Sequence, residues 1–193
     1  SKEWIEEIRE SLPEMPSLRR RRLQEEWGFA ELEFRDVVNS DLLDQVEDTV
    51  KAGAAPQAAR KWWTGELARI ANAENLVVQD LSITPLQVAE IQKLIDAGDL
   101  TDRMARDVVA GVLAGEGEPA QVIEKRGLKV VKDDGALIEA IDKALASQPD
   151  VLEKIREGKV QAAGAVIGAV MQAMRGQVDA ARVRELILER ASQ

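Results

Sequence analysis

The sequence contains no cysteine, no histidine and no tyrosine. Without cysteine there can be no disulfide, thiolate nucleophile or Cys-ligated zinc. Without histidine the chain lacks the commonest general base and the commonest metal ligand, and without tyrosine the usual phenolic acid. Asp, Glu, Lys and Ser remain, but the inventory argues against an enzyme complete in itself. No catalytic residue and no metal site is assigned. No apolar run approaches the roughly 18 residues that a membrane span requires, and no signal-peptide pattern opens the chain. A soluble, cytoplasmic chain without a membrane partner is expected.

Aromatic residues make up only 3% of the 193 positions, whereas hydrophobic residues reach 45% and charged residues 32%. Ala, Leu, Glu, Arg and Val dominate, as in helical proteins, and the length suffices for one or two domains with real cores. The formal net charge of −9 argues at first against nucleic acid. Its distribution says more. Residues 1–126 carry 16 Lys and Arg against 25 Asp and Glu, while residues 127–193 carry 10 of each. If phosphate is bound anywhere, the C-terminal end is the better candidate.

Helix start and stop signals recur along the whole chain, and no convincing run of alternating β-branched residues interrupts them. The fold class expected is all-α. A first helix is expected near 2–11, ending before Pro13, and a second after Pro16, closed by Gly28. Helices near 31–38 and 40–52 follow, the latter placing Leu42, Leu43, Val46 and Val50 on one face. Pro56 opens a helix through Lys61-Trp62-Trp63 to Asn72, with Trp62, Trp63, Leu67 and Ile70 on a broad apolar face. Thr84-Pro85-Leu86-Gln87 reads as a capped start with Gln87 as capping-box partner. Its helix presents Leu86, Val88, Ile91, Leu94 and Ile95 and stops at Gly98. Thr101 or Asp102 opens the next, with Met104, Ala105, Val108, Val109, Val112 and Leu113 at helical spacing. Gly115 and Gly117 end it, and Pro119 starts a short helix that stops at Gly127.

Residues 126–133 hold the only β-leaning pattern, too short for a sheet, and make the best domain boundary. The expected organisation is a helical domain over 1–126 and a small helical-bundle tail over 127–193. The tail's helices are expected near 134–147, 149–157, 159–175 and 179–191. The third should be central, with Ala163, Ile167, Val170, Met171 and Met174 as its apolar stripe. Gly164 and Gly168 lie four apart beside that stripe, and each mid-helix glycine costs about 1 kcal/mol relative to alanine. Two readings stand: close packing against a neighbouring helix, or approach of a ligand backbone.

Taken in order, several segments resemble the family of the B subunits of aspartyl/glutamyl-tRNA amidotransferases. Leu12-Pro13-Glu14-Met15-Pro16, the arginine run and Glu25-Glu26-Trp27-Gly28-Phe29 are similar to a region after that family's catalytic cradle domain. Lys61-Trp62-Trp63-Thr64-Gly65-Glu66-Leu67 resembles its Trp-x-x-Gly-Glu-Leu segment, and Ile83-Thr84-Pro85 its Ile-Ser/Thr-Pro. Leu100-Thr101-Asp102 and Glu124-Lys125-Arg126-Gly127-Leu128 follow in register. The run from Ala163 to Gly176 resembles the Gly-x-x-x-Gly-x-x-Met-x-x-x-Lys-Gly core of the tail, which stand-alone YqeY-type proteins share. Arg175 stands where the family usually has Lys, Gln177 replaces a common Lys, and Ala180 follows Asp179 where Pro is frequent.

The resemblance implies a helical domain and a YqeY-like tail that contact the body of tRNA(Asn) or tRNA(Gln). It also implies a parent complex that amidates the mischarged tRNA with ATP, magnesium and an amide donor. That chemistry would belong to the cradle domain and to another protein of the complex, so no cofactor is expected in this portion. The A and C subunits of the amidotransferase would be met through the cradle, which is missing here, so the chain reads as part of a longer protein. An aminoacyl-tRNA synthetase is a further candidate partner; DNA is not.

The candidate tRNA contacts are Lys159, Arg175, Gln177 and Arg182 in the tail, and Lys61 beside the tryptophans. Gly164, Gly168 and Gly176 are the candidate close-packing glycines. Asp179, as a cap, would compete with phosphate for the next helix's amides. Trp62 and Trp63 could stack on bases, although their spacing with Leu67 and Ile70 marks a core. The run Arg19–Arg22 points in several directions around a helix, and its plainer reading is a solvated, salt-bridged surface. The acidic group Asp41, Asp44, Glu47 and Asp48 is spread over a helix face and reads as solvated rather than metal-binding.

Overall fold

A computed structural model describes residues 14–132 and 134–191. Among these residues every regular element is a helix. The helix expected at 2–11 and the pair Leu12-Pro13 lie outside the described residues. The chain divides into two compact units that part between Glu90 and Ile91.

In the first unit, α1 (Pro16–Trp27) begins with a proline, whose missing N–H is no loss in a first turn. It ends at Gly28, whose left-handed φ of 63° a side chain would resist. After α2 (Glu31–Asn39), the helix α3 (Leu43–Lys51) buries Val46 together with Leu42 just before it. Trp27 meets Phe29 and Phe34 in tilted ring contacts at 5.5 and 6.1 Å, so the Trp27-Gly28-Phe29 segment is part of the core.

The next helix departs from expectation in its hydrogen bonding. Pro56–Arg60, Lys61–Leu67 and Ala68–Ala73 follow one another without a break, and the middle stretch is π-helical. We refer to the three together as α4. On a regular α-helix, adjacent residues stand about 100° apart. The wider π turn narrows that angle and lets Trp62 and Trp63 both face inward; they are 9% and 1% exposed. The Thr64 hydroxyl donates to the Arg60 carbonyl at 2.9 Å, a local bond of the kind that loosens the ladder. The Trp63 indole N–H donates to Thr49 Oγ1 at 2.8 Å, and that hydroxyl donates to the Gln45 carbonyl at 2.7 Å. Base stacking by Trp62 or Trp63 is therefore ruled out by burial.

The arginine run forms ion pairs, as its charge pattern implied. Arg19 pairs with Asp44 and Glu47, and Arg22 with Glu14 and Glu26. Glu47 is only 7% exposed in its side chain and also accepts from Lys51 at 3.0 Å. Burial pushes its carboxyl up, but the bonds from Arg19 and Lys51 outweigh this and leave it below the usual range. A carboxyl with a depressed folded value stabilises the fold above its unfolded value and loses that contribution as pH falls through the folded one. Glu47→Gln should therefore destabilise the first unit by about 1–2 kcal/mol at neutral pH. It should also flatten the loss of stability below roughly pH 4.3. Urea unfolding at pH 7 and pH 3 checks both parts.

The helix α5 (Pro85–Asp96) opens with the expected box. The Thr84 N–H donates to Gln87 Oε1 at 2.9 Å, and the Gln87 N–H to Thr84 Oγ1 at 3.3 Å. Leu86 is a correction to the expected apolar face. It is 67% exposed, while Val88 and Ile91 carry the burial.

In the second unit, α6 (Asp102–Leu113) is capped by Thr101, whose hydroxyl accepts from the Met104 N–H. It packs against α7 (Pro119–Arg126), which ends at a left-handed Gly127. The tail comprises α8 (Asp134–Ser147), α9 (Pro149–Arg156), α10 (Ala163–Ala173) and α11 (Ala180–Ala191). A short 3-10 turn, Val160–Ala162, leads into α10. α10 touches α8, α9 and α11, but each of the four tail helices touches the other three, so the contacts do not set α10 apart as the central one. Its inward residues are Ala163, Val166 and Val170, while Ile167, Met171 and Met174 are half-buried. Leu137, Ile141, Ile155, Val183 and Ile187 complete a core that, among the described residues, draws on none before Val131.

The expected boundary at 126/127 falls inside the second unit, and the segment there is not a slack connector. The Val130 N–H donates to the Asp99 carbonyl at 3.1 Å, and Lys132 pairs with the Asp99 side chain at 2.6 Å. The Val131 N–H donates to the Gln177 carbonyl at 2.6 Å. Among the described residues the β-leaning pattern forms no strand.

Candidate nucleic-acid interface

The tail residues singled out in the sequence meet at the turn between α10 and α11, with different fates. Arg175 closes α10 in a left-handed conformation, φ 53°. Its side chain is exposed and has no partner among the described residues. Gly176 follows with φ 71° and is buried, which accounts for a glycine there without any appeal to close packing. Gln177 is turned back on the chain: its amide nitrogen donates to the Gly127 carbonyl at 2.8 Å. Its place is therefore in the junction with the linker.

Arg182 is also occupied. It bridges Asp134 at 3.0 Å and Glu185 at 2.7 Å, and the hydrogen bond it donates to Asp134, followed by that to Glu185, holds its guanidinium far above the usual range. A phosphate would have to displace both carboxylates. Lys159 is 67% exposed and pairs with Glu157 at 3.0 Å, a surface pair of small worth that a phosphate could replace. Lys61 is exposed at the start of the π-helical stretch, in the first unit, whereas the other four lie in the second. The Asp179 side chain accepts from the Ala181 N–H at 3.0 Å, so it does compete for the amides at the start of α11.

The glycines of α10 require a correction. Gly164 and Gly168 are exposed, and apart from their own helix's backbone no atom of the described residues lies within 4 Å of where a β-carbon would stand on either. Among the described residues, therefore, no neighbour packs closely on them. The close approach falls at Gly111 instead, where a β-carbon would stand 2.4 Å from Val122 Cγ1, between α6 and α7. Periodicity marks Gly111 as no more than a member of a helix; which helix would cross it depends on tertiary packing.

This contrast predicts opposite signs for the same substitution. Gly164→Ala and Gly168→Ala should each raise stability by about 0.5–1 kcal/mol, because an open mid-helix glycine carries only its entropic cost. Gly111→Ala should lower it by roughly 1–3 kcal/mol through overpacking against Val122. Thermal unfolding of the three variants measures all three values.

One contributor was missed in the sequence. Arg103, in the first turn of α6, brings Nη1 to within 3.6 Å of the β-carbon position of Gly176. The only available signal was its position beside a Thr-Asp helix start, which says nothing of a turn some 70 residues away. Among the described residues no group of His, Cys, Asp or Glu is arranged to hold a metal ion. Nor is any helix among them long and apolar enough to cross a membrane.

These elements define an all-helical module whose tail carries its own core and displays a basic turn. Its family follows from comparison with known proteins. The model of the GatB domain matches residues 44–190. The B subunit of aspartyl/glutamyl-tRNA(Asn/Gln) amidotransferase from Leifsonia xyli subsp. xyli (strain CTCB07) is 67% identical over 193 residues, which is 100% of this chain and 38% of that protein. The protein of the same name from Clavibacter michiganensis subsp. michiganensis (strain NCPPB 382) is 68% identical over 191 residues, 99% of this chain and 38% of its own length. That of Paenarthrobacter aurescens (strain TC1) is 57% identical over 190 residues, 98% of this chain and 38% of its own length. The chain belongs to the GatB domain family and spans about 38% of the length of these relatives.

Proposed function

We propose that this chain is the C-terminal, tRNA-positioning portion of the B subunit of an aspartyl/glutamyl-tRNA(Asn/Gln) amidotransferase. It would hold the body of the tRNA while the mischarged 3′ end is amidated at sites elsewhere in the complex. The observation that carries this reading is the surface of α10, which leaves Gly164 and Gly168 open and ends at the exposed Arg175. An open glycine face lets a ribose-phosphate backbone come close, and an unpaired guanidinium beside it suits a phosphate. RNA helices are read largely by shape and backbone contacts, which fits a surface of modest basicity.

In this reading the division of labour runs between residues 1–126 as the helical domain and 127–193 as the YqeY-like tail. The tail core, drawn from residue 131 onward, supports that division. We assign catalysis, ATP and magnesium to the remainder of the protein and to the other members of the complex, in the cytoplasm. The acidity of residues 1–126 favours a second role for that region, as a spacer or a docking surface for a basic protein such as an aminoacyl-tRNA synthetase.

The test is titration of the chain with tRNA(Asn) or tRNA(Gln) and a noncognate tRNA, at about 50 and 200 mM salt. Cognate-favouring affinity that falls with salt is expected. No binding at either salt would reject the tRNA role, and synthetase capture without RNA would favour the docking role.

A further inference from the structure

Two arginines in the second unit sit where local physics favours other residues. Arg103 occupies the first turn of α6, where the helix dipole opposes a cation. Arg175 adopts a left-handed conformation that glycine or asparagine would fill more readily. Neither guanidinium has a hydrogen bond or an ion pair among the described residues, and both residues are exposed. Other cations of this unit are paired: Lys132 with Asp99, Arg126 with Glu116, and Arg182 with Asp134. The fold nevertheless brings Arg103 Nη1 against the Arg175-Gly176 turn.

Arg103 Nη1 lies 3.6 Å from the β-carbon position of Gly176, the residue after Arg175, so one anion at this turn is within the reach of both side chains. The linker fixes this arrangement, since Gln177, next to that turn, is bonded to Gly127 and Val131. We propose that Arg103 and Arg175 form a two-armed grip for a single phosphate of an RNA backbone. One arm stands before the linker and the other on the tail. This rests on the tRNA-positioning role above and adds to it a residue from outside the tail. Guanidinium forks suit the shared recognition of one phosphate, whose oxygens accept from both sides. The grip reads no sequence, and its occupation would hold the tail turn to α6 for as long as the RNA is bound.

The experiment uses the full chain with its cognate tRNA, titrated between about 50 and 200 mM salt, with R103Q, R175Q and the double variant. Each single variant should lose about tenfold in affinity, the scale of one charge-assisted hydrogen bond. Each should also lower the slope of log affinity against log salt by about one. The double variant should bind no more than a few-fold worse than either single, because the second arginine has no phosphate left to share. Lys154→Gln and Arg184→Gln, at exposed tail cations away from the turn, should change little. Melting temperatures of R103Q and R175Q without RNA should stay level or rise.

A multiplicative loss near a hundredfold would mean two separate phosphates and overturn the shared grip. An R103Q variant that binds like the parent would overturn it too, while leaving the tRNA role standing. A parent chain that binds no tRNA removes both. A fall in the melting temperature of R103Q with an unchanged salt slope would show that the guanidinium only packs on Gly176, against the proposal.

Discussion

Trp63→Ala is expected to destabilise the first unit by about 3–5 kcal/mol, the usual range for truncating a buried aromatic. Trp63 is 1% exposed and is, among the described residues, the largest of the fully buried side chains. Its removal leaves a cavity beside a helix whose π turn brings both indoles inward, so collapse around the void would need the backbone to rewind. It also takes away the N–H that Thr49 Oγ1 accepts, in a site where Thr49 itself is 0% exposed. Domains have only about 5–15 kcal/mol in hand, so the loss is a large share of the whole. Trp63→Phe keeps most of the volume and should cost about 1–2 kcal/mol. Trp27, Trp62 and Trp63 are buried in the first unit and no tryptophan follows position 63, so tryptophan fluorescence during urea unfolding reports on the first unit and not on the tail. A midpoint for Trp63→Ala close to that of the parent would contradict the assignment of Trp63 as the centre of this core.

Ile187→Ala is expected to unfold the tail while leaving that fluorescence transition in place. Ile187 is 0% exposed on α11, which packs on α8, α9 and α10. Truncating a buried isoleucine costs roughly 2–5 kcal/mol. A unit of this size seldom has more than about 3–5 kcal/mol to lose. Among the described residues the tail core draws on none before Val131, so the damage should stay within the tail. Amide hydrogen exchange would show lost protection from α8 to α11 and retained protection in α1 to α4. Ile187→Val, at about 0.5–1.5 kcal/mol, should keep the tail folded. A shift of both transitions together would mean that the tail does not fold as its own unit.

The helices and most of their ends were legible in the sequence because local rules decide them. A proline at a first turn, a threonine cap with glutamine three residues on, and glycines at left-handed C-termini act within a few residues of themselves. Thr84 and Gln87 form their box, and Gly28 and Gly127 close their helices as their sequence context implies. The ordered set of motifs also carried the family, which the match over residues 44–190 bears out. Periodicity is less exact about faces. Leu86 fits an apolar stripe in sequence but is exposed, and Val166, beside the expected Ile167, is the residue that is fully buried.

The sequence by itself determined an all-helical chain, because capping and 3.6-residue periodicity are local and repeat from end to end. It also determined that no histidine or cysteine chemistry is available. Only the tertiary structure decided which polar groups are already spent. Gln177 and Arg182 look like ready phosphate contacts until Gly127, Asp134 and Glu185 are seen to hold them. The same holds for glycine: Gly111 is crossed by Val122, while Gly164 and Gly168 face open space. Whether a side chain is free depends on what the fold brings to it from dozens of residues away, and such long-range pairing leaves no mark on local pattern.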